Sequence, residues 1–399
     1  MKIVIAPDSF KDSLTNLQAA MAIKRGLVNV WPYCEYQIFP VSDGGAGTVG
    51  ALVYLSGGQE IRGEVADPLG RRRTAAWGLM GDKATAVVEI SAACGLAKLL
   101  PQELNPSRAS TRGFGEQIND ALNRGIKRLI LGLGGSATND AGAGMLEALG
   151  MRLLKKGGDP VEPGALGLKE LATIDPSGLN PRLAEVEIIV ACAVKNPLLG
   201  PKGTTQIFGP KKGVTNLLMP QLDEALAHFH DVASQATGKN VACAEGAGAA
   251  GGVGAALMMY TNSVFEKGVE VVLSHGNFEE RAKGASLIIT GEGQTDLETV
   301  WWGKAPLGVA KAGEKLGIPT VVIAGSLESG YQKLYENGMA GVMSMLPYPM
   351  NYPQALRDAA PILEDAAWRL GRLLSIKAKG LEKEAREPQG VLASGPVIL

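Results

Sequence analysis

The stretch that decides the fold is Leu129-Ile-Leu-Gly-Leu-Gly-Gly-Ser-Ala-Thr-Asn-Asp-Ala-Gly-Ala-Gly144. It begins with an apolar run typical of a buried strand (128–133), continues into glycines and polar side chains, and ends in small residues that favour a helix start. Strand, glycine loop and helix in this order are how α/β proteins build an anion site. Glycine backbone N–H groups can approach an oxyanion, and the helix N-terminus adds unpaired donors.

We interpret this loop as a phosphate cradle. Its predicted members are Gly134, Gly135, Ser136, Thr138 and Asn139. Asp140 would repel a phosphate unless a metal ion lay between them, so a magnesium-nucleotide explains the mixture best. A plain strand-to-helix connection is the alternative, and the loop matches neither the Walker pattern nor the G-x-G-x-x-G pattern.

Length and composition exclude several classes of partner. The chain has 399 residues, 46% of them apolar, which favours two domains. A net charge of −1 without a long basic run makes nucleic acid and anionic membranes unexpected partners. The first apolar run ends at Pro7, too early for a signal peptide, and no run is long enough for a membrane span. The four cysteines lie far apart, which suits a reducing compartment, so we expect a cytoplasmic protein.

Further loops that follow predicted strands also carry Gly, Asp, Ser or Lys in combination. They are 7–13, 42–48, 291–296 and 325–326. If the strands lie parallel in one sheet, these loops and 134–140 meet at one edge, where open α/β sheets bind nucleotides. The candidate ligand residues in them are Asp8, Ser9, Lys11, Asp43, Gly291, Glu292, Gly293 and Asp296. For Asp43, capping of a tight turn is an equally supported alternative.

Two arginines and three runs of alternating apolar and polar residues give further predictions. Arg108 and Arg112 could clamp a carboxylate or phosphate, although surface arginines are commoner. The runs 61–66, 74–79 and 85–90 alternate with period two and predict antiparallel strands. We therefore predict an α/β protein of two domains: a doubly wound, mostly parallel sheet of Rossmann or flavodoxin type, and an inserted α/β domain containing antiparallel strands.

The predicted domain boundaries follow from that change of pattern. Residues 1–60 and 255–375, with part of 105–145, form the first domain, and 61–254 form the inserted one. Residues 376–399 are predicted to be a solvated C-terminal tail, because they are rich in charged side chains.

Motifs in a fixed order resemble the bacterial glycerate kinases that form 2-phosphoglycerate. They are Ala-Pro-Asp-Ser-Phe-Lys (6–11), Ser-Asp-Gly-Gly (42–45), Gly-Gly-Ser-Ala-Thr-Asn-Asp (134–140), Asn-Pro-Leu-Leu-Gly-Pro-Lys-Gly (196–203), Gly-Ala-Gly-Ala-Ala-Gly-Gly (246–252), Thr-Gly-Glu-Gly (290–293) and Gly-Lys-Ala-Pro-Leu-Gly-Val-Ala (303–310). The resemblance runs from residue 1 to about 375. It implies a two-domain α/β kinase that uses ATP and Mg²⁺ to phosphorylate D-glycerate, with a homodimer as a candidate assembly.

Phosphoryl transfer requires positioning, charge neutralisation and a base at the acceptor hydroxyl. We assign Lys11, Asp43 and Asp296 to catalysis, with Asp296 or Asp43 as magnesium ligand or base, and Asp140 as a further metal ligand. Nucleotide binding is assigned to Ser9, Gly134, Gly135, Ser136, Thr138, Asn139, Gly291, Glu292 and Gly293. The predicted acceptor site consists of Asp8, Arg108 and Arg112.

The chain departs from the family pattern at strand ends. Ala46 and Ala193 replace carboxylates that are usual in the family, Lys195 replaces a small or acidic residue, and the loop 294–302 is remodelled. Two alternatives stay open: a kinase for another small hydroxy acid, with Trp301 and Trp302 either reshaping the pocket or packing between domains, and an impaired protein that binds without turnover.

Overall fold

The computed structural model describes residues 1–301 and 303–376. The predicted tail after Ile376, and the predicted roles of the Trp301 side chain and of Trp302, lie outside the described residues. No helix within the described ranges is long and apolar enough to cross a membrane.

The strands and helices alternate over most of the chain. The strands are β1 (Lys2–Pro7), β2 (Glu35–Ile38), β3 (Gln59–Ala66), β4 (Arg72–Leu79), β5 (Thr85–Glu89), β6 (Arg128–Gly132), β7 (Arg152–Leu154), β8 (Thr173–Asp175), β9 (Glu187–Ala191), β10 (Val264–Glu266), β11 (Leu287–Thr295), β12 (Thr320–Leu327) and β13 (Met339–Ser344). The helices are α1 (Asn16–Val28), α2 (Thr48–Ser56), α3 (Ile90–Cys94), α4 (Arg112–Asn123), α5 (Ala143–Ala148), α6 (Thr204–Phe208), α7 (Met219–Thr237), α8 (Ala249–Tyr260), α9 (Gly268–His275), α10 (Phe278–Ala282), α11 (Leu297–Trp301), α12 (Ala305–Lys315), α13 (Tyr352–Arg357) and α14 (Ala359–Leu374).

The strands form two main sheets. The first has the order β13-β12-β11-β1-β2 and every pairing in it is parallel. The second has the order β10-β9-β6-β5-β4-β3, in which β10 to β5 are parallel and β4 and β3 are antiparallel. The predicted α/β fold with a parallel sheet and a second sheet containing antiparallel strands is confirmed.

Helices cover both faces of each sheet, and the two sheets share the layer between them. Along β1, Ile3 packs into one core and Val4 into another, as expected for a strand with period two. The core that contains Val4 also contains Val87 and Ile130 of the second sheet, together with side chains of α2, α9 and α12. The second sheet is therefore packed onto the first through a common apolar layer.

The carboxyl ends of the two sheets meet in a close backbone contact. The Gly134 N–H donates to the Gly44 carbonyl oxygen at 3.0 Å. A Cβ on Gly134 would lie 2.6 Å from the Gly45 Cα, and one on Gly44 would overlap the carbonyl oxygen of Ala191 at the end of β9. Glycine is required at these positions because the two backbone segments approach without room for a side chain.

Two strands differ from the predicted domain boundaries. β6, from the 105–145 segment assigned in part to the first domain, lies in the second sheet between β5 and β9. β10, which follows the predicted boundary at 255, pairs with β9 in the same sheet. The loop 134–140 therefore follows a strand of the second sheet, and the expectation that all five loops end strands of one sheet is wrong. The division into domains otherwise stays a prediction.

The helix α1 begins with a capping box: the Thr15 hydroxyl accepts from the Gln18 N–H at 3.2 Å, and the Gln18 side chain accepts from the Thr15 N–H at 2.9 Å. The C-terminal helical region is divided into α13 and α14, because the backbone at Asp358 (φ −100°, ψ 16°) leaves the helical region.

The junction between the sheets predicts a difference between two left-handed glycines. At Gly57 (φ +65°) an added methyl group would have no atom within 4 Å, whereas at Gly44 (φ +95°) Ala191 occupies the space that the methyl group would need. Gly57→Ala should reduce the free energy of unfolding by about 1 kcal/mol, and Gly44→Ala by about 3 kcal/mol, because a steric overlap is added to the backbone strain. Urea denaturation followed by circular dichroism measures both, and equal losses would contradict the described junction.

Candidate active site

Three segments lie side by side at the carboxyl edge of the first sheet: the loop after β1 and the C-terminal parts of β11 and β12. The Asp8 N–H donates to the Gly291 carbonyl oxygen at 2.8 Å, which joins the loop after β1 to the middle of β11. A Cβ on Gly293 would lie 3.3 Å from the Lys11 backbone nitrogen, and one on Gly325 would overlap Gly293. The segments 7–13, 291–296 and 325–326 therefore converge as predicted, but 291–295 and 325–326 are among the last residues of β11 and β12 and not loops that follow them. The Gly44–Gly134 contact brings 42–48 and 134–140 to the same edge.

Three carboxylates from these segments, Asp8, Asp43 and Glu292, interact electrostatically. Burial raises the pKa of Asp8 well above its usual value, and the charges of Asp43 and Glu292 raise it further. The Ser9 N–H, which donates to Asp8 Oδ1 at 2.6 Å, and the nearby Lys11 act in the opposite direction. A carboxylate that resists ionisation among other carboxylates marks a place where a cation would be favourable.

Glu292 is held in place by two threonine hydroxyls. Its Oε1 accepts from Thr299 Oγ1 at 2.8 Å and from Thr295 Oγ1 at 2.9 Å. Burial raises the pKa of Glu292 to about 7, against the opposing effects of Lys304 and these hydrogen bonds. A carboxyl group with a fixed orientation and a pKa near neutrality is suited to accept a proton at physiological pH.

Asp296 has a different environment from Glu292. Its Oδ1 accepts from the Thr299 N–H at 3.0 Å and lies 3.5 Å from Lys304 Nζ. Although partial burial acts to raise the pKa of Asp296, the Thr299 N–H and Lys304 lower it below its usual value. Asp296 therefore stays ionised and fixes the position of the Lys304 ammonium group.

Lys304 is a site residue that was not assigned from the sequence, although it lies in the Gly-Lys-Ala-Pro motif quoted above. It immediately precedes α12, so the first turn of that helix, with its unpaired N–H groups, adjoins the carboxylates. Lys304 and Lys11 are positively charged groups that act on this cluster. That motif was the sequence signal that could have identified Lys304. Its contact with Asp296 is visible only in the tertiary structure.

The glycine loop 134–140 differs in detail from the predicted cradle. Gly135 is exposed, in the left-handed conformation (φ +79°), but the Gly134 N–H is already used by Gly44. The side chains of Ser136, Thr138 and Asn139 are buried. Ser136 Oγ lies 2.7 Å from Thr138 Oγ1, and Asn139 Nδ2 donates to Thr205 Oγ1 at 3.1 Å. These side chains support the loop from inside. Gly135 is the exposed residue of the loop, and its carbonyl oxygen accepts from the Leu96 N–H at 2.9 Å.

Asp140 is a buried structural anchor and does not have the geometry predicted for a metal ligand. Its Oδ2 accepts from the N–H and the hydroxyl of Thr111, at 2.8 and 2.9 Å, and from the Gly144 N–H at 3.2 Å. Its Oδ1 accepts from the Gly142 N–H at 3.1 Å. Burial raises the pKa of Asp140 although these donors lower it. Because both oxygens are already bonded inside the protein, Asp140 joins the glycine loop to α4.

The predicted arginine clamp is also not supported by the geometry. Arg112 begins α4, and its guanidinium group lies 3.4 Å from Glu116, one helical turn further on. Arg108 is exposed in the turn 105–109, where the Arg108 N–H donates to the Asn105 carbonyl oxygen. Arg112 belongs to α4, which packs on the second sheet, whereas Lys11 and Lys304 act on the carboxylate cluster.

The donor set at the junction fits Mg²⁺ in the way this ion usually binds. Within the described ranges no group of three or more His, Cys, Asp or Glu side chains is arranged to hold a metal ion. Mg²⁺ in phosphoryl-transfer sites is generally held by one or two carboxylates, waters and substrate phosphates, so a preformed protein cage is not required. Asp8 and Asp43 offer hard oxygen ligands of that kind.

These features define an α/β protein with a ligand site of carboxylates, lysines and glycine backbone where two sheets meet at their carboxyl ends. The model of the Glycerate kinase family matches residues 3–375. The chain is 47% identical to a glycerate kinase of Bacillus subtilis (92% of this chain, 96% of the relative) and 41% identical to the glycerate 2-kinase of Escherichia coli (94% and 98%). A crystal structure from Salmonella typhimurium LT2, provisionally assigned as a glycerate kinase 2, superposes with a TM-score of 0.81 at 39% identity and covers 94% of this chain and 98% of its own.

This protein belongs to the glycerate kinase family. The family's enzymes are phosphotransferases with an alcohol group as acceptor, so the predicted enzyme class is confirmed at that level.

The anchoring role of Asp140 makes a prediction that separates it from metal binding. Asp140→Asn places an amide NH₂ among N–H donors in the interior, so the free energy of unfolding should fall by about 3 kcal/mol. The matched control, Asp159→Asn on an exposed loop, should leave it unchanged. Thermal and urea unfolding without added metal measure both variants. A metal ligand would show the reverse: unchanged stability without metal and weakened Mg²⁺ binding.

Proposed function

We propose that this protein transfers the terminal phosphoryl group of ATP to the 2-hydroxyl of D-glycerate and so forms 2-phosphoglycerate, with Mg²⁺ as the required cation. The observation that carries the proposal is the junction of Asp8, Asp43 and Glu292 with Lys11 and Lys304, next to the exposed Gly135 backbone. The name of the Escherichia coli relative, at 41% identity, supports the position of phosphorylation.

The charges at the site suit the reactants. Nucleotide phosphates and an acceptor carboxylate are anions, which three protein carboxylates alone would repel. Mg²⁺, when bound, supplies the neutralising charge at the transferred group. Asp8 and Asp43 would hold it, and Lys11 and Lys304 would pair with the remaining anionic oxygens of the nucleotide and the acceptor.

Glu292 is the residue we assign as general base. The two threonine hydroxyls orient its carboxylate through Oε1, and its raised pKa allows it to take up the proton of the acceptor hydroxyl near neutral pH. Asp296 keeps the Lys304 ammonium group in place and stays ionised. This assignment moves the base from Asp296 or Asp43, where the sequence placed it, to their neighbour Glu292.

The deciding assay combines ATP, Mg²⁺ and D-glycerate and identifies the product by ³¹P NMR, which distinguishes 2- from 3-phosphoglycerate. L-glycerate and other small hydroxy acids are run in parallel, because Ala193 and Lys195, the latter in an exposed ion pair with Glu245 at 2.9 Å, depart from the family pattern at a strand end. Turnover above about 1 per second with D-glycerate, the low end for kinases, supports the proposal. Faster turnover of another acid would identify a different acceptor, and ATP binding without turnover would indicate an impaired enzyme.

Two neighbouring carboxylates predict different kinetics when neutralised. Glu292→Gln should lower kcat by about 100-fold or more, because general base catalysis contributes on that scale. Asp296→Asn should lower kcat by about tenfold, because Lys304 loses its partner while the base remains. Both variants should bind nucleotide within a few-fold of the wild type, measured by calorimetry. A larger loss in Asp296→Asn than in Glu292→Gln would return the role of base to Asp296.

The pKa of Glu292 predicts the pH dependence. A base must be ionised, so kcat/KM for the acceptor should rise between pH 6 and 8 and level off above the pKa of about 7. In Glu292→Gln this rise should disappear, while in Asp296→Asn it should persist. The contribution of Glu292 to the free energy of unfolding has the opposite pH dependence. Because its pKa is raised from 4.5 to about 7 by folding, this contribution is fully present below pH 4.5 and is lost as the pH rises through about 7.

A further inference from the structure

A buried lysine contacts the backbone of the glycine loop. Lys212 has only 5% of its surface exposed, and its Nζ donates to the Thr138 carbonyl oxygen at 2.6 Å. Within the described residues no carboxylate oxygen lies within 4 Å of this nitrogen. The preceding residue, Lys211, is exposed. A buried ammonium group is costly unless it is paired or hydrogen-bonded, so the bond to the Thr138 carbonyl compensates part of a cost that the exposed Lys211 does not have.

The loop that Lys212 contacts has a strained backbone that needs external support. Ala141 adopts a left-handed conformation (φ 53°), and Ala250 in the facing segment does the same (φ 52°). Each costs about 1 kcal/mol for a residue with a side chain, so it persists only where the surroundings determine it. The two segments are joined by the Ala141 N–H, which donates to the Gly251 carbonyl oxygen at 2.9 Å.

The loop is therefore fixed from several sides. Thr205 accepts from Asn139, Gly251 accepts from Ala141, and Lys212 donates to Thr138 between them. Lys212 also interacts electrostatically with this loop. Burial lowers the pKa of Lys212 to about 8, while the charge of the buried Asp140 acts to raise it. Lys212 and Asp140 are thus opposite charges that act on adjacent parts of one loop.

We propose that Lys212 is a positioning residue for nucleotide binding: by holding the Thr138 carbonyl it fixes the loop 134–140 so that the backbone of Gly135 is presented to the nucleotide phosphates. Lys212 does not contact the reacting atoms, and its effect is expected on nucleotide affinity. The inference rests on the proposed function, because it requires that this loop contacts the nucleotide.

The experiment compares Lys212→Met, which keeps the apolar stem but removes the charge and the donor, with Lys211→Met as the matched exposed control. Calorimetry with a non-hydrolysable ATP analogue and Mg²⁺ gives the nucleotide affinity. Amide hydrogen exchange of peptides covering 134–141 measures the order of the loop independently of catalytic activity. In Lys212→Met we expect at least tenfold weaker nucleotide binding and at least tenfold faster exchange in 134–141. We expect kcat at saturating nucleotide to stay within threefold, and Lys211→Met to match the wild type in every measurement.

Each other result decides the proposal. A folded Lys212→Met protein with nucleotide affinity within twofold of the wild type overturns it, and a lowered Tm as its only change would show a purely structural lysine. If Lys212→Met does not fold, Lys212→Gln, which keeps a shorter N–H donor, is judged by the same criteria, and failure of both to fold overturns the proposal. A wild type that binds the analogue but phosphorylates no acid fails the proposed function and leaves this inference testable. A wild type that does not bind the analogue overturns both.

Discussion

The contact between the Gly44 carbonyl and the Gly134 N–H is the constraint on which the site depends. Two parallel sheets normally have separate ligand-binding edges, each at the carboxyl ends of its own strands. Here the backbones of the loops after β2 and β6 touch, so the two edges become one. Carboxylates supplied by the first sheet then lie next to a glycine loop supplied by the second. A side chain at Gly44 or Gly134 would separate the loops, because the neighbouring backbone occupies that space.

Because these segments converge, several carboxylates lie close together. Asp8 and Asp43 come from two loops and Glu292 from β11, and burial together with the charges of Asp43 and Glu292 makes ionisation of Asp8 unfavourable. Such an arrangement lowers the stability of the empty protein and is characteristic of a site that receives a cation. Lys11 and Lys304 balance part of this negative charge. The site therefore offers carboxylates to a cation and ammonium groups to an anion.

The glycine loop shows that the composition of a motif does not by itself reveal which of its side chains are exposed. The hydroxyl, amide and carboxylate groups between 136 and 140 match a ligand-binding composition, yet they point into the protein and bond to Thr111, Thr205 and each other. Their energetic role is to satisfy buried polar groups around a strained backbone. The exposed residue of the loop is Gly135, and the buried side chains support the backbone on which it lies.

The sequence by itself determined the local elements and their order: strands such as β1 and β6 from apolar runs, α1 from its capping box, and ligand loops from glycines and aspartates at strand ends. These signals are local, because hydrophobic period, capping and turn chemistry act over a few residues. The family was also recognisable, since its motifs occur in one order along the chain. Only the tertiary structure decided that β6 belongs to the second sheet, that Asp140 is saturated by donors from Thr111, Gly142 and Gly144, and that Lys304 meets Asp296. Strand partners and the burial of an individual carboxylate depend on residues distant along the chain, and no short-range pattern contains that information.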